Sequence, residues 1–405
     1  MSSGSLKVPN ERIQALNAAF SEIFGYAPSD YFSAPGRTEL SGNHTDHQRG
    51  RVLAAAINLD TQAAVGRNGS NSIRIQSKGY PMVEISLSEL TPNADEINTT
   101  AALVRGVAAG FAARGCTIQG FDAYVESSVL PGSGLSSSAS FEVLIGTILN
   151  HLFFDCRVSQ PEIAQIGQYA ENVFFGKPCG LMDQTASAVG GMVAIDFGDK
   201  HHPDIQPLDF DFASCGHALC IVNSGADHAD LTDEYAAITD DYKALCAYFG
   251  KEVLTEVPED GFYAAIPALR QLCGDRAVMR GIHQYQENAR MTQVIAALKN
   301  GDFNTFLQLI KQSGYSSYMY LQNVIPAGYV RHQHMAVALG LCEHYLHGKG
   351  AYRVHGGGFA GTVQALVPFD LLAEFQAGIN RALGEGACLV LSIRPEGGVR
   401  MEAAE

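Results

Sequence analysis

The sequence predicts an α+β protein built from two domains. Segments with helical periodicity and segments with strand-like alternation both occur along the 405 residues. They do not follow one another as regular βαβ units, which disfavours a doubly wound parallel sheet. Apolar residues make up 46% of the chain and charged residues 17%, a composition typical of globular proteins with a sizeable core. The polar stretch at 198–207 predicts a domain boundary, which gives domains at 1–205 and 206–405.

The individual elements follow from the spacing of apolar residues. Leu16, Phe20 and Ile23 recur at helical spacing, and Gly25 ends the helix predicted at 10–24. Strands are predicted at 52–65, 72–77, 82–87, 121–126, 192–197, 217–223, 362–367 and 388–393. Further helices are predicted at 139–153, 160–174, 230–249, 286–299, 302–312 and 369–383.

Charge balance and cysteine usage limit the classes of function. The chain has 27 basic and 42 acidic residues, a formal net charge of −15. It therefore repels nucleic-acid backbones and anionic lipid at long range, and neither is expected as a partner. No apolar run reaches the roughly 18–20 residues that span a bilayer, and the N-terminal stretch lacks the pattern of a secretory signal. Nine scattered cysteines without a CxxC pair are typical of reduced thiols. We expect a cytoplasmic protein, with a monomer favoured.

A glycine- and serine-rich segment at 131–138 lies between a predicted strand and a predicted buried helix. Glycines let the backbone approach a ligand closely, and the unpaired N–H groups at a helix start attract anions such as phosphates. Serine hydroxyls can add hydrogen bonds or ligate Mg²⁺. The segment matches neither a Walker A motif nor a Rossmann glycine motif. Taken alone, it is compatible with a phosphate cradle and with a flexible turn.

The polar segment 34–50 is predicted to be a turn-rich loop that carries a cluster of polar and ionisable side chains. The cluster comprises Arg37, Glu39, Asn43, His44, Asp46 and His47. Carboxylates and imidazoles can bind vicinal hydroxyls, and an arginine can face a phosphate or a developing alkoxide, so the cluster suits a polyhydroxylated ligand. Two alternatives stay open, a transition-metal site on His44, Asp46 and His47 and a solvated loop whose side chains cap turns.

Two further segments carry candidate residues. Asp183 lies in an apolar, turn-prone stretch, where a carboxylate could take a proton from an attacking hydroxyl or could cap a helix. Glu171, twelve residues earlier on a predicted helix, could ligate Mg²⁺ or face solvent. Near the C-terminus, His355 and the glycines at 356–358 precede a strand. Consecutive glycines there indicate close backbone packing against a ligand, or a hairpin turn.

The order of these segments resembles that of the galactokinase family, within the GHMP superfamily of small-molecule kinases. Segment 34–46 (APGRTELSGNHTD) resembles the galactokinase signature, 130–139 (LPGSGLSSSA) the phosphate loop, and 355–361 (HGGGFAG) the third superfamily motif. Segment 178–184 (PCGLMDQ) resembles the one that carries the family's catalytic aspartate. The resemblance covers nearly the whole chain and implies a two-domain α+β fold with the active site between the domains.

The resemblance also implies ATP-dependent phosphorylation of galactose at its C1 hydroxyl and a role for each motif residue. It makes Asp183 the catalytic base and Arg37 the group that stabilises the alkoxide and the transferring phosphoryl. The implied sugar-binding residues are Arg37, Asn43, His44, Asp46, Gly180, Asp183 and Tyr235. The implied ATP-binding residues are Gly132, Gly134, Ser136 and Ser137. Ser138 and Glu171 are the implied ligands of the cofactor Mg²⁺.

The chain departs from the family signature at the position that faces the sugar's C6 group. Galactokinases have Glu immediately before His-Thr-Asp, where this chain has Asn43; Thr38-Glu39 replaces the usual Val-Asn, and Ser41 replaces an apolar residue. A neutral amide still hydrogen-bonds a hydroxyl, but it does not repel a C6 carboxylate.

Two other functions follow from the same comparison. Plant galacturonokinases also lack the acid and carry a similar His-x-Asp-His-Gln run, so a galacturonokinase is the second hypothesis. Yeast galactose sensors resemble galactokinases without catalysing, and they lack residues of the Ser-Ser-Ser-Ala region. Because this region and Asp183 are intact here, a non-catalytic sensor is the minor alternative.

Overall fold

Two β-sheets with helices packed against them form the protein, so the predicted α+β class is confirmed. The computed structural model describes residues 5–129, 134–199, 202–226, 231–359 and 361–404. The strands are β1 (Leu6–Val8), β2 (Asp30–Ser41), β3 (Arg51–Arg67), β4 (Ser72–Ser77), β5 (Val83–Ser86), β6 (Phe121–Ser127), β7 (Met192–Asp196), β8 (Asp204–Leu208), β9 (His217–Asn223), β10 (Ala351–Val354), β11 (Thr362–Pro368), β12 (Cys388–Leu391) and β13 (Val399–Ala403). The α-helices are α1 (Asn10–Phe24), α2 (Thr100–Ala112), α3 (Ser137–Phe153), α4 (Gln160–Tyr169), α5 (Met182–Val189), α6 (Thr232–Phe249), α7 (Glu259–Leu272), α8 (Asp275–Lys299), α9 (Phe303–Ser316), α10 (His334–Leu346) and α11 (Phe369–Leu383).

The first sheet is organised around β3, its longest strand. The strand order is β1-β13-β2-β3-β6-β4-β5, with β7 pairing with β3 and β8 with β7. β3 pairs antiparallel with β2 on one edge, and its other edge is divided between β7 and β6. The β2–β3 pairing shifts register between Pro35 and Arg37 and again between Glu39 and Ser41. Such bulges re-aim side chains, and these two flank the arginine that the sequence marks as functional.

The second sheet has the order β10-β11-β9-β12 and is antiparallel. Alternate residues of β9 face opposite sides, as the two-residue period of a strand requires. Cys220 and Val222 pack with α10 and α11, whereas Leu219 and Ile221 pack with α8, α9 and the apolar side chains of β3. One apolar cluster therefore spans both sheets and fixes the second against the first.

Helix ends follow the expected local chemistry in several places. α4 starts with a capping box in which Ser159 and Glu162 hydrogen-bond each other's backbone N–H groups. After Tyr169 the chain continues as a π-helical turn over Ala170–Phe175, and a second π-helical turn covers Ser317–Leu321 after α9. Both irregular turns place side chains at the site described below, which is where π-turns are frequently found. Within the described residues, none of the helices combines the length and apolarity needed to cross a membrane.

The prediction of a loop over 34–50 is wrong for its first half. β2 continues to Ser41, and nearly all of its residues from Phe32 onwards are buried. Its polar side chains resemble those of a solvated loop, but each finds a partner in a distant part of the fold. The domain boundary predicted at 205/206 falls inside β8, which still belongs to the first sheet. The chain enters the second sheet with β9 and returns to the first with β13.

Candidate active site

The arginine of β2 and the aspartate of α5 form a two-pronged ion pair. Arg37 Nε donates to Asp183 Oδ1 and Arg37 Nη2 to Asp183 Oδ2, both at 2.7 Å. Arg37 Nη1 donates to the Gly134 carbonyl at 2.5 Å, and the Ser136 hydroxyl donates to Asp183 Oδ2 at 2.7 Å. Arg37 is 146 residues from Asp183 in the sequence, and Ser136 is 47 residues from it. The fold thus brings together three separate segments of the chain. Charge-assisted, two-pronged pairs of this kind fix both partners in orientation.

The surroundings of the pair keep Asp183 ionised. Burial alone would raise the pKa of Asp183, but the charge and hydrogen bonds of Arg37, with the Ser136 hydroxyl, more than offset it, so the pKa lies below its usual value. Arg37 is itself buried, yet Asp183, Glu39 and Asp46 hold its pKa above the usual value. The pair is therefore a carboxylate beside a guanidinium at neutral pH.

The phosphate-loop residues surround this pair. Gly134 has a left-handed backbone (φ 72°), and Ser136 is the N-cap of α3, also left-handed (φ 61°). Ser137 is the first residue of α3, so the unpaired N–H groups of the helix start open towards the loop. Gly132 lies outside the described residues. Because the Ser136 hydroxyl contacts Asp183, the cradle and the proposed base are direct neighbours.

The implied magnesium ligands lie next to each other. The Ser138 hydroxyl donates to Glu171 Oε1 at 3.2 Å, and Gln184 Nε2 donates to Glu171 Oε2 at 2.9 Å. Glu171 belongs to the first π-helical turn and is 3% exposed. One carboxylate and one hydroxyl at a phosphate site suit Mg²⁺, which prefers oxygen ligands and completes its shell with water and substrate phosphates. The residues present therefore fit this ion.

Two of the implied sugar residues, His44 and Tyr235, contact the glycine loop that follows His355. His44 Nε2 lies 3.0 Å from the Gly357 carbonyl, and the Tyr235 hydroxyl donates to the Gly358 carbonyl at 2.7 Å. A Cβ atom on Gly180 would collide with the carboxylate of Asp46, so these two residues are in contact. Burial lowers the pKa of His44 to about 4, so its ring is neutral and Nε2 donates to the carbonyl. Burial raises the pKa of Tyr235 to about 12.

Asn43 contacts the same glycine loop, but its amide is already fully hydrogen-bonded. Its Nδ2 donates to Glu39 Oε1 at 3.0 Å and to the Gly356 carbonyl at 2.6 Å. Its Oδ1 accepts from Asn323 Nδ2 at 2.8 Å and from the Ser317 hydroxyl at 3.2 Å. The side chain is fully buried, and its two N–H groups and two lone pairs are all used. A direct contact between Asn43 and a sugar would require one of these bonds to break.

The sequence left open a metal site on His44, Asp46 and His47, and the positions of the two histidine rings bear on this alternative. The rings of His44 and His47 have centroids 6.4 Å apart, and His47 is largely exposed. In the part of the chain that the structure describes, no three His, Cys, Asp or Glu side chains converge as a group that could hold a metal ion.

The sequence holds no signal for a cavity beside the phosphate loop or for the contacts of His355. The cavity has a volume of about 390 Å³, and Ser137 and Ser138 form one wall of it. The other walls include Leu103 and Phe141, and the end of β4. These residues come from segments with ordinary strand or helix patterns, so the sequence held no signal for them. His355 starts a glycine motif, but its partners on β2 are more than 300 residues away in the chain.

Comparison with known proteins agrees with the geometry. The family description "GHMP kinases N terminal domain" matches residues 102–191, and "Galactokinase galactose-binding signature" matches residues 18–67. These matches make the chain similar to small-molecule kinases of the GHMP superfamily. The galactose-binding signature covers β2 and the His/Asp segment, so within that superfamily the similarity is to galactokinase-like sugar kinases.

Several solved structures share the fold over nearly the whole chain. Galactokinase from Lactococcus lactis, complexed with galactose, is 24% identical, with a TM-score of 0.80, covering 96% of this chain and 99% of its own. A D-glycero-D-manno-heptose 1-phosphate kinase from Bacteroides thetaiotaomicron is 16% identical (TM-score 0.62; 93% and 100% covered). Streptococcus pneumoniae phosphomevalonate kinase, complexed with phosphomevalonate and AMPPNP, is 12% identical (TM-score 0.60; 89% and 98% covered).

Proposed function

We propose that the protein transfers the terminal phosphoryl group of ATP to the C1 hydroxyl of galactose, giving galactose 1-phosphate and ADP. The observation that carries the proposal is the ion pair between Arg37 and Asp183, held against the phosphate loop through Gly134 and Ser136. Phosphoryl transfer needs alignment and charge stabilisation more than covalent chemistry from the protein. An arginine paired with a carboxylate at the loop supplies both.

Asp183 and Arg37 have different roles at the acceptor oxygen. Asp183 is ionised and accepts the hydroxyl proton as the acceptor attacks. Because the pKa of Asp183 lies below its usual value, it is a weak base, so the proton moves only once the new bond to phosphorus has begun to form. Arg37 stabilises the charge that develops on the acceptor oxygen and on the transferring phosphoryl.

The donor side of the reaction uses the phosphate loop and the cavity beside it. The start of α3 binds the phosphates, and Ser138 and Glu171 hold Mg²⁺, which neutralises phosphate charge when it is bound. The cavity of about 390 Å³ shares Ser137 and Ser138 with this region. Its volume falls within the roughly 300–1,000 Å³ typical of small-molecule sites, so we assign it to the adenosine part of ATP.

The acceptor side uses the cluster at the glycine loop. His44 and Asp46 bind sugar hydroxyls, and Tyr235 with Gly180 shapes the pocket. Glu39 supplies an acid close to the position that the signature normally fills with glutamate, because its carboxylate hydrogen-bonds Asn43. That carboxylate is paired with Arg353, so it adds no uncompensated charge beside residue 43. Galactose is favoured because the galactose-binding signature matches residues 18–67.

Galacturonate is the second candidate substrate, because residue 43 itself is neutral. One competition assay separates the two. The enzyme is given MgATP with galactose, galacturonate, N-acetylgalactosamine or arabinose, and kcat/KM is compared while ³¹P NMR identifies an anomeric phosphate. A preference for galacturonate would overturn the primary assignment. ATP- and sugar-dependent complex formation without ADP release would support a sensor instead.

A further inference from the structure

His355 lies where three of the sequence motifs meet. Its imidazole is buried (2% exposed) between β2 and the first residue of β11. Nε2 lies 3.0 Å from Thr38 Oγ1 and 3.3 Å from the backbone nitrogen of Glu39, and Nδ1 lies 2.9 Å from Thr362 Oγ1. A Cβ atom on Gly134 would lie 3.3 Å from Nδ1, so the ring also borders the phosphate loop.

These partners determine which ring nitrogen carries the hydrogen. A backbone N–H can only donate, so the Nε2 atom that faces Glu39 must accept and Nδ1 must carry the proton. Nδ1 then donates to the Thr362 hydroxyl, and Nε2 also accepts from the Thr38 hydroxyl. A proton on Nε2 would face the Glu39 N–H and break that contact, because the backbone nitrogen cannot accept, although the Thr38 hydroxyl could still accept from Nε2.

The charges around the ring favour the same neutral form. Burial, together with the positive charges of Arg37 and Arg353, lowers the pKa of His355 well below its usual value, and the carboxylate of Asp183 opposes this only in part. The ring is therefore neutral throughout the physiological range, and its hydrogen-bonding pattern is constant there.

The contacts of His355 bear directly on the position of Arg37. Thr38 and Glu39 are the two residues that follow Arg37 in β2, and Gly134 supplies the carbonyl that accepts from Arg37 Nη1. The backbone N–H of His355 donates to the Thr362 carbonyl at 3.0 Å, which anchors the ring to the base of the glycine loop. Any slip of β2 against these loops would move Arg37 relative to Asp183.

We propose that His355, as the neutral Nδ1–H tautomer, is a positioning residue that holds the Arg37 segment of β2 against the phosphate loop and the glycine loop. This role rests on the proposed kinase function. It acts through Arg37, so it affects the rate of phosphoryl transfer more than the binding of sugar.

Two variants of similar shape test the contacts of the two ring nitrogens separately. His355→Gln places an amide oxygen where Nε2 accepts from β2 and loses the donor to Thr362. His355→Asn keeps a donor for Thr362 and loses the acceptor for β2. We expect His355→Asn to lower kcat by about 10–100-fold, the size of effect that a displacement near 1 Å produces. His355→Gln should lose only a few-fold, and the KM for sugar should stay within about 3-fold in both.

Controls make the outcome specific to positioning. His332→Asn, at an exposed position, should leave kcat unchanged, and thermal unfolding should be followed for every variant. Equal losses of kcat in His355→Asn and His355→Gln, or wild-type kcat in both, would overturn the proposal. Thr38→Val, which keeps the shape of the side chain but removes the hydroxyl donor, should lower kcat a few-fold. It serves as the second test if His355 variants fold poorly.

The tautomer can be measured without any activity. In ¹⁵N-histidine-labelled protein, His355 should give a protonated Nδ1 and an unprotonated Nε2 between pH 6 and 8. A proton on Nε2 would refute the positioning role. If the wild-type enzyme turned over none of the four sugars, the proposed function would fail, and the NMR result would still decide how His355 is bonded.

Discussion

Replacing Asp183 with alanine tests the proposed base and separates catalysis from folding. The carboxylate accepts three hydrogen bonds, two from Arg37 and one from Ser136. Its loss leaves the buried guanidinium of Arg37 with the Gly134 carbonyl as its hydrogen-bond partner. Breaking a fully buried ion pair costs about 3–5 kcal/mol. The Asp183 side chain is 29% exposed, so water can partly replace it, and we expect a cost of about 1–3 kcal/mol.

That cost lowers stability but should not unfold the protein. At about 2–4 °C per kcal/mol, Tm should fall by roughly 2–12 °C. Catalysis should suffer more, because loss of a general base lowers the rate by about 10²–10⁴, or roughly 2.7–5.5 kcal/mol of transition-state stabilisation. Asp183→Asn keeps an oxygen that can accept from Ser136, so its Tm should fall less while its kcat falls as far.

The assay is ADP release at saturating galactose and MgATP at 25 °C, with unfolding followed by circular dichroism. Asp209→Ala, at an exposed aspartate, is the matched control and should behave as wild type. Near-normal kcat in folded Asp183→Ala would remove Asp183 from its catalytic role. A kcat that followed Tm across both variants would indicate a structural role only.

Four further outcomes follow from the same geometry. Arg37→Met should move the acid limb of the kcat/KM profile to higher pH, because Arg37 keeps the pKa of Asp183 low and the ionised carboxylate is the active form. Gly180→Ala should raise the KM for galactose by roughly 10-fold or more through displacement of Asp46, without changing the KM for ATP. Ser77→Trp, at the cavity wall, should raise the KM for ATP without changing the KM for galactose. Glu171→Gln should raise the Mg²⁺ concentration needed for half-maximal rate, measured by titration.

Elements with strong periodicity and clear ends were predicted from the sequence almost to the residue. The helices at 10–24 and 369–383 have the predicted bounds, because an apolar stripe and a flanking Gly25 or Pro368 are local signals. The helix predicted at 160–174 divides at Tyr169 into α4 and a π-helical turn. The turn is not encoded in the apolar spacing, so the sequence pattern alone could not reveal it.

β2 was missed because the partners of its side chains are distant in sequence. Arg37, Thr38 and Glu39 are polar, and polar runs normally lie in solvent. In this fold they are buried and bond to Asp183, His355 and Arg353, respectively. A one-dimensional pattern records the polarity of a residue but not the partner that compensates its burial. For the same reason the family motifs implied candidate site residues, while the contacts between these residues required the structure.

The departures from the galactokinase signature have a common physical explanation. Thr38 hydrogen-bonds His355, and Glu39 pairs with Arg353. Asn43 donates to Glu39 and accepts from Ser317 and Asn323. Each buried polar group depends on the next, so a change at one position alone would leave its partner unsatisfied at a cost of about 1–3 kcal/mol. These residues therefore report how β2 is packed against the second sheet and the glycine loop. All hydrogen-bonding groups of the Asn43 amide are already used within the protein, so the acid missing at position 43 is weak support for a uronate.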